Sequence, residues 1–242
     1  GQMMQPAQDI ITANYDNGIF ALRRNRQFDE IWRTNPFASV TRVIGRVKAV
    51  TNLRGTPYFI VQYTGKTPAE IWRDSGDPEV VYRFRGPINN SITFLNSQYF
   101  FIRYDDKTPS EIWSTNPLEV AATLNGHLAN AGVTPVLGEE IVTIDYENNA
   151  VSEVWSLKDH VRLELLNGNV KKVLPILGDV FFVVQYEEDQ PTEIWSAVDA
   201  QLIATLGEEN RIVSAVTSLK DGNFLLVQYE SDPAELWQIG ID

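Results

Sequence analysis

Six tryptophans occur in the chain, at Trp32, Trp72, Trp113, Trp155, Trp195 and Trp237, separated by 40, 41, 42, 40 and 42 residues. Each follows an aliphatic residue and, two positions earlier, a glutamate: Glu30, Glu70, Glu111, Glu153, Glu193 and Glu235. A motif returning at one period restricts a chain to architectures that set one supersecondary unit beside the next, because a single such unit cannot bury its apolar face alone. The 242 residues hold six copies and little else.

The rest of the unit repeats too. Upstream lies an apolar run closing on a polar residue and tyrosine, as in Phe59-Ile60-Val61-Gln62-Tyr63, Phe101-Ile102-Arg103-Tyr104, Phe182-Val183-Val184-Gln185-Tyr186 and Leu225-Leu226-Val227-Gln228-Tyr229. Runs this short, rich in β-branched and aromatic residues, are strands. Turn formers such as Gly65-Lys66-Thr67-Pro68 and Ser231-Asp232-Pro233 separate them from the Trp strand and predict hairpins. A third strand follows the tryptophan, as at Val80–Phe84 or Val161–Leu166, and closes at Gly45, Gly86, Gly126, Gly168 or Gly207. A fourth, such as Ser91–Leu95 or Ile212–Thr217, opens the next unit. No helical periodicity competes.

Four antiparallel strands repeating about every 40–45 residues mark a propeller blade. The chain thus resembles the β-propeller superfamily over nearly its whole length, without the Gly-His and Trp-Asp pairs of WD repeats. The resemblance implies an all-β fold, a six-bladed β-propeller of four-stranded antiparallel blades forming a single domain over residues 1–242. Only five residues follow Trp237, too few for a third strand, whereas residues 3–8 precede the first inner strand near Asp9 to Ala13. The N-terminal strand is therefore expected to complete the last blade and close the ring, which would otherwise keep an open edge.

The repeated Glu and Trp are expected to be structural. Each tryptophan can bury about 150–250 Å², roughly 4–6 kcal/mol gross. The glutamate, two positions earlier, points to the same side of its strand and needs a partner there. A second reading makes the tryptophans sugar platforms. In Glu-x-Trp the chain is similar to six-bladed fucose-binding lectins, which use Glu, Arg and an aromatic residue between successive blades. The residue after Trp is Arg only at Arg33 and Arg73, then Ser114, Ser156, Ser196 and Gln238.

Positions that vary between repeats are free of the scaffold's demands and are the better ligand-binding candidates. Those leaving the third strand are Arg46, Asn89, Asn90, His127, Asn130, Lys171, Lys172 and Arg211, expected in loops around the channel mouth. His127 falls in the longest connection, residues 125–132, and His160 reads as a turn residue.

The charge balance, 20 basic against 32 acidic residues, gives a net −12 and a pI near 4.6. No nucleic-acid partner is expected, since phosphate recognition needs a basic stripe. Residues 1–121 nevertheless hold 14 basic and 12 acidic residues, net +2, whereas 122–242 hold 6 and 20, net −14. The absence of cysteine excludes disulfides, thiolate zinc sites and thiol catalysis, and a cysteine-free acidic chain suits a secreted or periplasmic setting. No run of 18 apolar residues predicts a membrane span. No cofactor is expected; calcium could meet the acidic pairs Asp105-Asp106, Glu139-Glu140 and Glu208-Glu209, but no EF-hand spacing accompanies them.

These readings converge on a non-catalytic binding or scaffold module presenting a protein- or glycan-binding surface at the channel mouth, with no catalytic residue assigned. Two alternatives stand beside it: a hydrolase or lactonase with a cation-assisted site in the central channel, and a lectin with sugar sites between blades.

Overall fold

The computed structural model describes residues 9–14, 19–23, 28–34, 37–53, 55–89, 93–95, 98–137, 140–147, 151–178, 180–187, 190–207, 211–219 and 223–240. Two compact units divide the chain, Gly1–Thr123 and Leu124–Asp242. The division falls between the third and fourth repeats.

The first unit contains three sheets. β1 (Asp9–Asn14), β2 (Ile19–Arg23), β3 (Phe28–Thr34) and β4 (Phe37–Ile44) form the first, β5 (Val47–Asn52), β6 (Tyr58–Tyr63), β7 (Glu70–Arg73) and β8 (Glu79–Arg83) the second, and β9 (Thr93–Phe94), β10 (Tyr99–Ile102), β11 (Glu111–Thr115) and β12 (Leu118–Thr123) the third. The second unit repeats the plan with β13 (Leu128–Leu137), β14 (Ile141–Tyr146), β15 (Glu153–Ser156) and β16 (Val161–Leu165), then β17 (Val170–Ile176), β18 (Phe181–Tyr186), β19 (Thr192–Ser196) and β20 (Leu202–Leu206). Its last sheet has three strands, β21 (Val213–Ser218), β22 (Phe224–Tyr229) and β23 (Glu235–Gln238). Every pairing is antiparallel and between neighbours in sequence, the meander from which propeller blades are made. The described residues contain no helix, and so none long and apolar enough to cross a membrane.

Strand composition follows position. The second strand of the second to fifth sheets is buried on both faces, as all of β18 is, and therefore reads as a continuous apolar run rather than an alternation. The fourth strand is largely exposed, as in β8 and β16. In five sheets that outer strand carries one extra residue opposite the tryptophan: Ile71 pairs with Tyr82 but Trp72 with Val80, leaving Val81 over. Such a bulge increases the local twist of an outer strand. Several first strands carry a bulge as well. At the end of β4 the chain turns at Gly45 with φ 115°, a backbone conformation open to glycine.

Within each unit, sheets pack face to face, with alternate residues of one strand serving opposite neighbours. Phe59, Val61 and Tyr63 of β6 join Ile31, Val40 and Val43 of the first sheet, while Ile60 lies in the next core with Phe100 and Trp113. The repeated aliphatic residue packs forward, as Ile31 and Ile71 do, and the tryptophan backward, as Trp113 does against Phe84. Leu236 of β23 departs from this rule: it is 62% exposed, whereas Ile31, Ile71, Val154 and Ile194 are at most 1% exposed.

Two expectations about the connections change. The segment 125–132 is not all loop, because β13 begins at Leu128 opposite Tyr146 and absorbs the surplus residues as an irregularity before Val133. Asn130 therefore belongs to a strand. Lys171 and Lys172 also lie inside a strand, β17, where the register shifts between Val170 and Lys172. Of the strand expected at Ser91–Leu95, Thr93 and Phe94 pair with β10, and Ser91 and Ile92 lie outside the described residues. Residues 1–8, assigned from the sequence to the last blade, lie outside the described residues, as does Asn90.

Candidate functional site

In all six repeats the tryptophan Nε1 donates to Oε2 of the glutamate two residues before it, at 2.7–3.1 Å. Two positions along a strand put both side chains on one face, so the motif closes on itself. The tyrosine ending the second strand donates to the same oxygen across the hairpin: Tyr63 to Glu70 at 2.7 Å, Tyr104 to Glu111 and Tyr229 to Glu235 at 2.9 Å, with shorter contacts from Tyr146 to Glu153 and Tyr186 to Glu193. Burial, then the bond to the carboxylate, drives the hydroxyls of Tyr63, Tyr104, Tyr146 and Tyr186 well above the usual tyrosine range.

The second oxygen, Oε1, meets a cation or amide. Arg42 reaches Glu30 at 3.1 Å and Arg83 binds Glu70 through Nε at 2.9 Å and Nη2 at 2.7 Å. Arg85 Nη2 lies 3.3 Å from Glu111, Arg162 Nη1 3.2 Å from Glu153, and Arg211 Nη2 2.8 Å from Glu235. Asn125 also donates to Glu153, and Asn167 to Glu193. Burial raises the Glu153 pKa, but the bonds from Tyr146, Trp155, Asn125 and Arg162 outweigh it and hold the carboxyl below its ordinary value. The bonds from Arg211, Trp237 and Tyr229 do the same for Glu235. Carboxylates held ionised and saturated with donors are poor proton donors at neutral pH.

The seam between the first and second sheets stays open. Between the second and third sheets, Tyr82 and Phe84 meet Trp113 edge-on with ring centroids 4.6 and 5.4 Å away, Phe100 stacks on it at 5.9 Å, and Trp113 is 1% exposed. Counting back from the closing glycines, Tyr82, Phe84 and Arg85 before Gly86 correspond to Thr41, Val43 and Ile44 before Gly45. The smaller side chains leave Trp72 half-buried and open a groove of about 470 Å³ between the first and second sheets. Val43, Ile44, Pro68, Val80 and Trp72 supply its apolar wall, and Arg42, Thr67, Tyr63, Glu70 and Arg83 its polar groups. Ile44 is 92% exposed. A mostly apolar lining with few fixed polar groups is the usual make-up of a small-molecule site, and the volume lies within the range of about 300–1,000 Å³ such sites occupy.

The candidates named from the sequence are distributed over separate sheets. Arg46 pairs with the fully buried Asp29 at 3.4 Å, and Asp29 also accepts the Val47 amide at 2.8 Å. The Asn89 amide donates to the Arg103 carbonyl at 2.7 Å. His127 Nδ1 lies 3.0 Å from Glu147. Lys171 and Lys172 line a polar groove of about 360 Å³ together with Gln190, Ser214 and Glu230. The guanidinium of Arg211 stands 3.9 Å over the Tyr229 ring, and its bond to Glu235 raises its pKa. His160 occupies the turn between β15 and β16 with φ 56°. Among the described residues no group of three His, Cys, Asp or Glu is placed to hold a metal ion.

Sequence reasoning looked for an arginine directly after the tryptophan and passed over Arg42 and Arg83. Their signal is an arginine three residues before the closing glycine, present before Gly45 and Gly86 and replaced by Thr123, Leu165 and Ala204 in the next three repeats.

Neither protein-family models nor curated proteins give a match to the chain. Among solved structures it is similar to Hsv2 of Kluyveromyces marxianus, with 17% identity over 93% of this chain and 74% of that one and a TM-score of 0.39. It is similar also to Hsv2p of Kluyveromyces lactis, at 13% identity, 93% and 72% coverage and a TM-score of 0.40. The computationally designed protein Ika8 matches at 15% identity, 93% and 70% coverage and a TM-score of 0.40. Likenesses at this level assign no function to the chain.

Proposed function

We propose that the chain is a non-catalytic glycan-binding module whose ligand lies in the groove beside Trp72. The observation carrying this reading is that the Glu-Tyr-Trp-Arg clamp faces an open groove between the first two sheets, while its counterpart at Trp113 is packed shut. A half-buried indole beside Val80 and Pro68 offers an apolar wall to the C–H face of a pyranose, and the arginines offer donors to its oxygens. This site replaces the channel mouth as the preferred seat of recognition. Glu70 at the groove already accepts from Tyr63, Trp72 and Arg83, which favours binding over proton transfer.

In the same reading the six sheets are the blades of one ring, with residues 1–8 supplying the fourth strand beside β23. The last sheet supports this, since among the described residues it has three strands where the other five have four. A glycan array followed by tryptophan-fluorescence titration tests the binding function. Saturable binding that Trp72→Ala abolishes without loss of the fold is expected; turnover of a substrate with no glycan bound overturns the reading.

A further inference from the structure

We infer that the saccharide taken by the Trp72 groove carries an oxyanion, a carboxylate or a sulfate, recognised by Arg42 and Arg83; this rests on the glycan reading above. The argument is one of unused hydrogen-bonding capacity. Glu70 accepts from Tyr63 and Trp72 at Oε2 and twice from Arg83 at Oε1, and a carboxylate has about four lone-pair sites. The same bonds consume the tyrosine and indole protons. The groove therefore has little acceptor capacity left for the hydroxyls of a neutral sugar.

Its unused groups are donors. Arg83 binds Glu70 through Nε and Nη2, which leaves Nη1, and its side chain is 68% exposed. Arg42 binds Glu30 through Nε alone, leaving both terminal nitrogens, and is 70% exposed; its guanidinium is steadied over the Phe28 ring at 5.1 Å. Guanidinium donors beside an apolar wall match a planar carboxylate or a sulfate better than a neutral hydroxyl. The unit's charge agrees. Gly1–Thr123 carries 14 basic and 12 acidic residues and 11 of the 13 arginines, so the unit that holds the groove has no net negative charge.

The test is an array holding neutral saccharides beside their uronate and sulfate counterparts, followed by titration of the full chain with the best-bound acidic saccharide and its neutral parent. The acidic form is expected to bind about tenfold more tightly or better. Arg42→Gln, which leaves the Arg83–Glu70 pair in place, should remove most of that preference while circular dichroism shows the chain still folded, and Arg85→Gln, which removes the equivalent partner of Glu111 in the closed seam, should leave binding unchanged. Binding of uronates alone or sulfates alone supports the inference and identifies the oxyanion. Equal affinity for the neutral parent, or no effect of Arg42→Gln, overturns it while the glycan reading stands. If no saccharide of either kind binds, both fall.

Discussion

At the scale of single residues, the carboxylates at the centre of the clamps differ in how far water can replace a lost partner. Glu111 is fully buried and accepts the Tyr104 hydroxyl at 2.9 Å, while Glu235 is more exposed and accepts Tyr229 at the same distance. Tyr104→Phe removes a bond to a buried charge and should cost about 1.5–3 kcal/mol. Tyr229→Phe should cost less, because solvent reaches the carboxylate it leaves. Urea unfolding of the two variants checks the order, and equal losses would contradict it. Acidity acts on the clamps with a defined sign. Glu153 is held below its ordinary 4.5, so its contribution is present above that pH and disappears as the pH falls through the folded value. Asp145 has the opposite sign. Burial raises its carboxyl above 3.8 despite the bond from Ser152, and Glu187 adds repulsion, so its ionised form opposes folding once the pH exceeds the folded value. Asp145→Asn should therefore raise the melting temperature at pH 7 and lose that advantage near pH 3, which thermal unfolding at the two pH values measures.

At the scale of strands and seams, what closes one groove and opens another is the outer strand of the preceding sheet. β8 sends Tyr82 and Phe84 over Trp113, whereas β4 presents Thr41 and Val43 in the corresponding places before Trp72. Transferring the plug in the triple variant Thr41→Tyr, Val43→Phe, Ile44→Arg should bury Trp72, shift its emission to the blue and abolish ligand binding. Binding that survives the plug would place the ligand elsewhere. The strands themselves were legible because their cause is local: the run from Phe182 to Tyr186 is apolar throughout, since that strand is covered on both faces. The period of the Glu-Trp pair likewise announced a repeated antiparallel sheet. The groove was not legible, because it is a difference between repeats rather than a feature of any one. Val43 is an ordinary strand residue until the chain places it across a seam from Trp72. Arg42 was hidden for a related reason, since its contact with Glu30 joins two strands 12 residues apart in sequence. Lys171 was misplaced because a bulge keeps an extra residue within a strand without any local mark in the sequence.

At the scale of the whole molecule, composition divides where the contacts divide. The unit Gly1–Thr123 is slightly basic, and Leu124–Asp242 carries 6 basic against 20 acidic residues. An anion bound beside Arg42 would approach the unit suited to it, and its affinity should fall as salt screens those charges, over about 10 Å at 0.1 M. Titration at two salt concentrations checks this. The proposed ring makes a separate demand, which falls on the edge of β23. Among the described residues five sheets have four strands and the last has three, and none of these strands pairs with the outer edge of β23. Leu236 stays exposed on the same short strand. A fourth strand from residues 1–8, as proposed above, would pair that edge. Pro6 is compatible with such an outer position, where not every amide must donate. Deleting residues 1–8 should then lower the melting temperature and speed hydrogen exchange at the amides of β23, with little early change in the buried β18. A truncated chain that melts with the full one and protects β23 equally would show that the last sheet is completed by some other means.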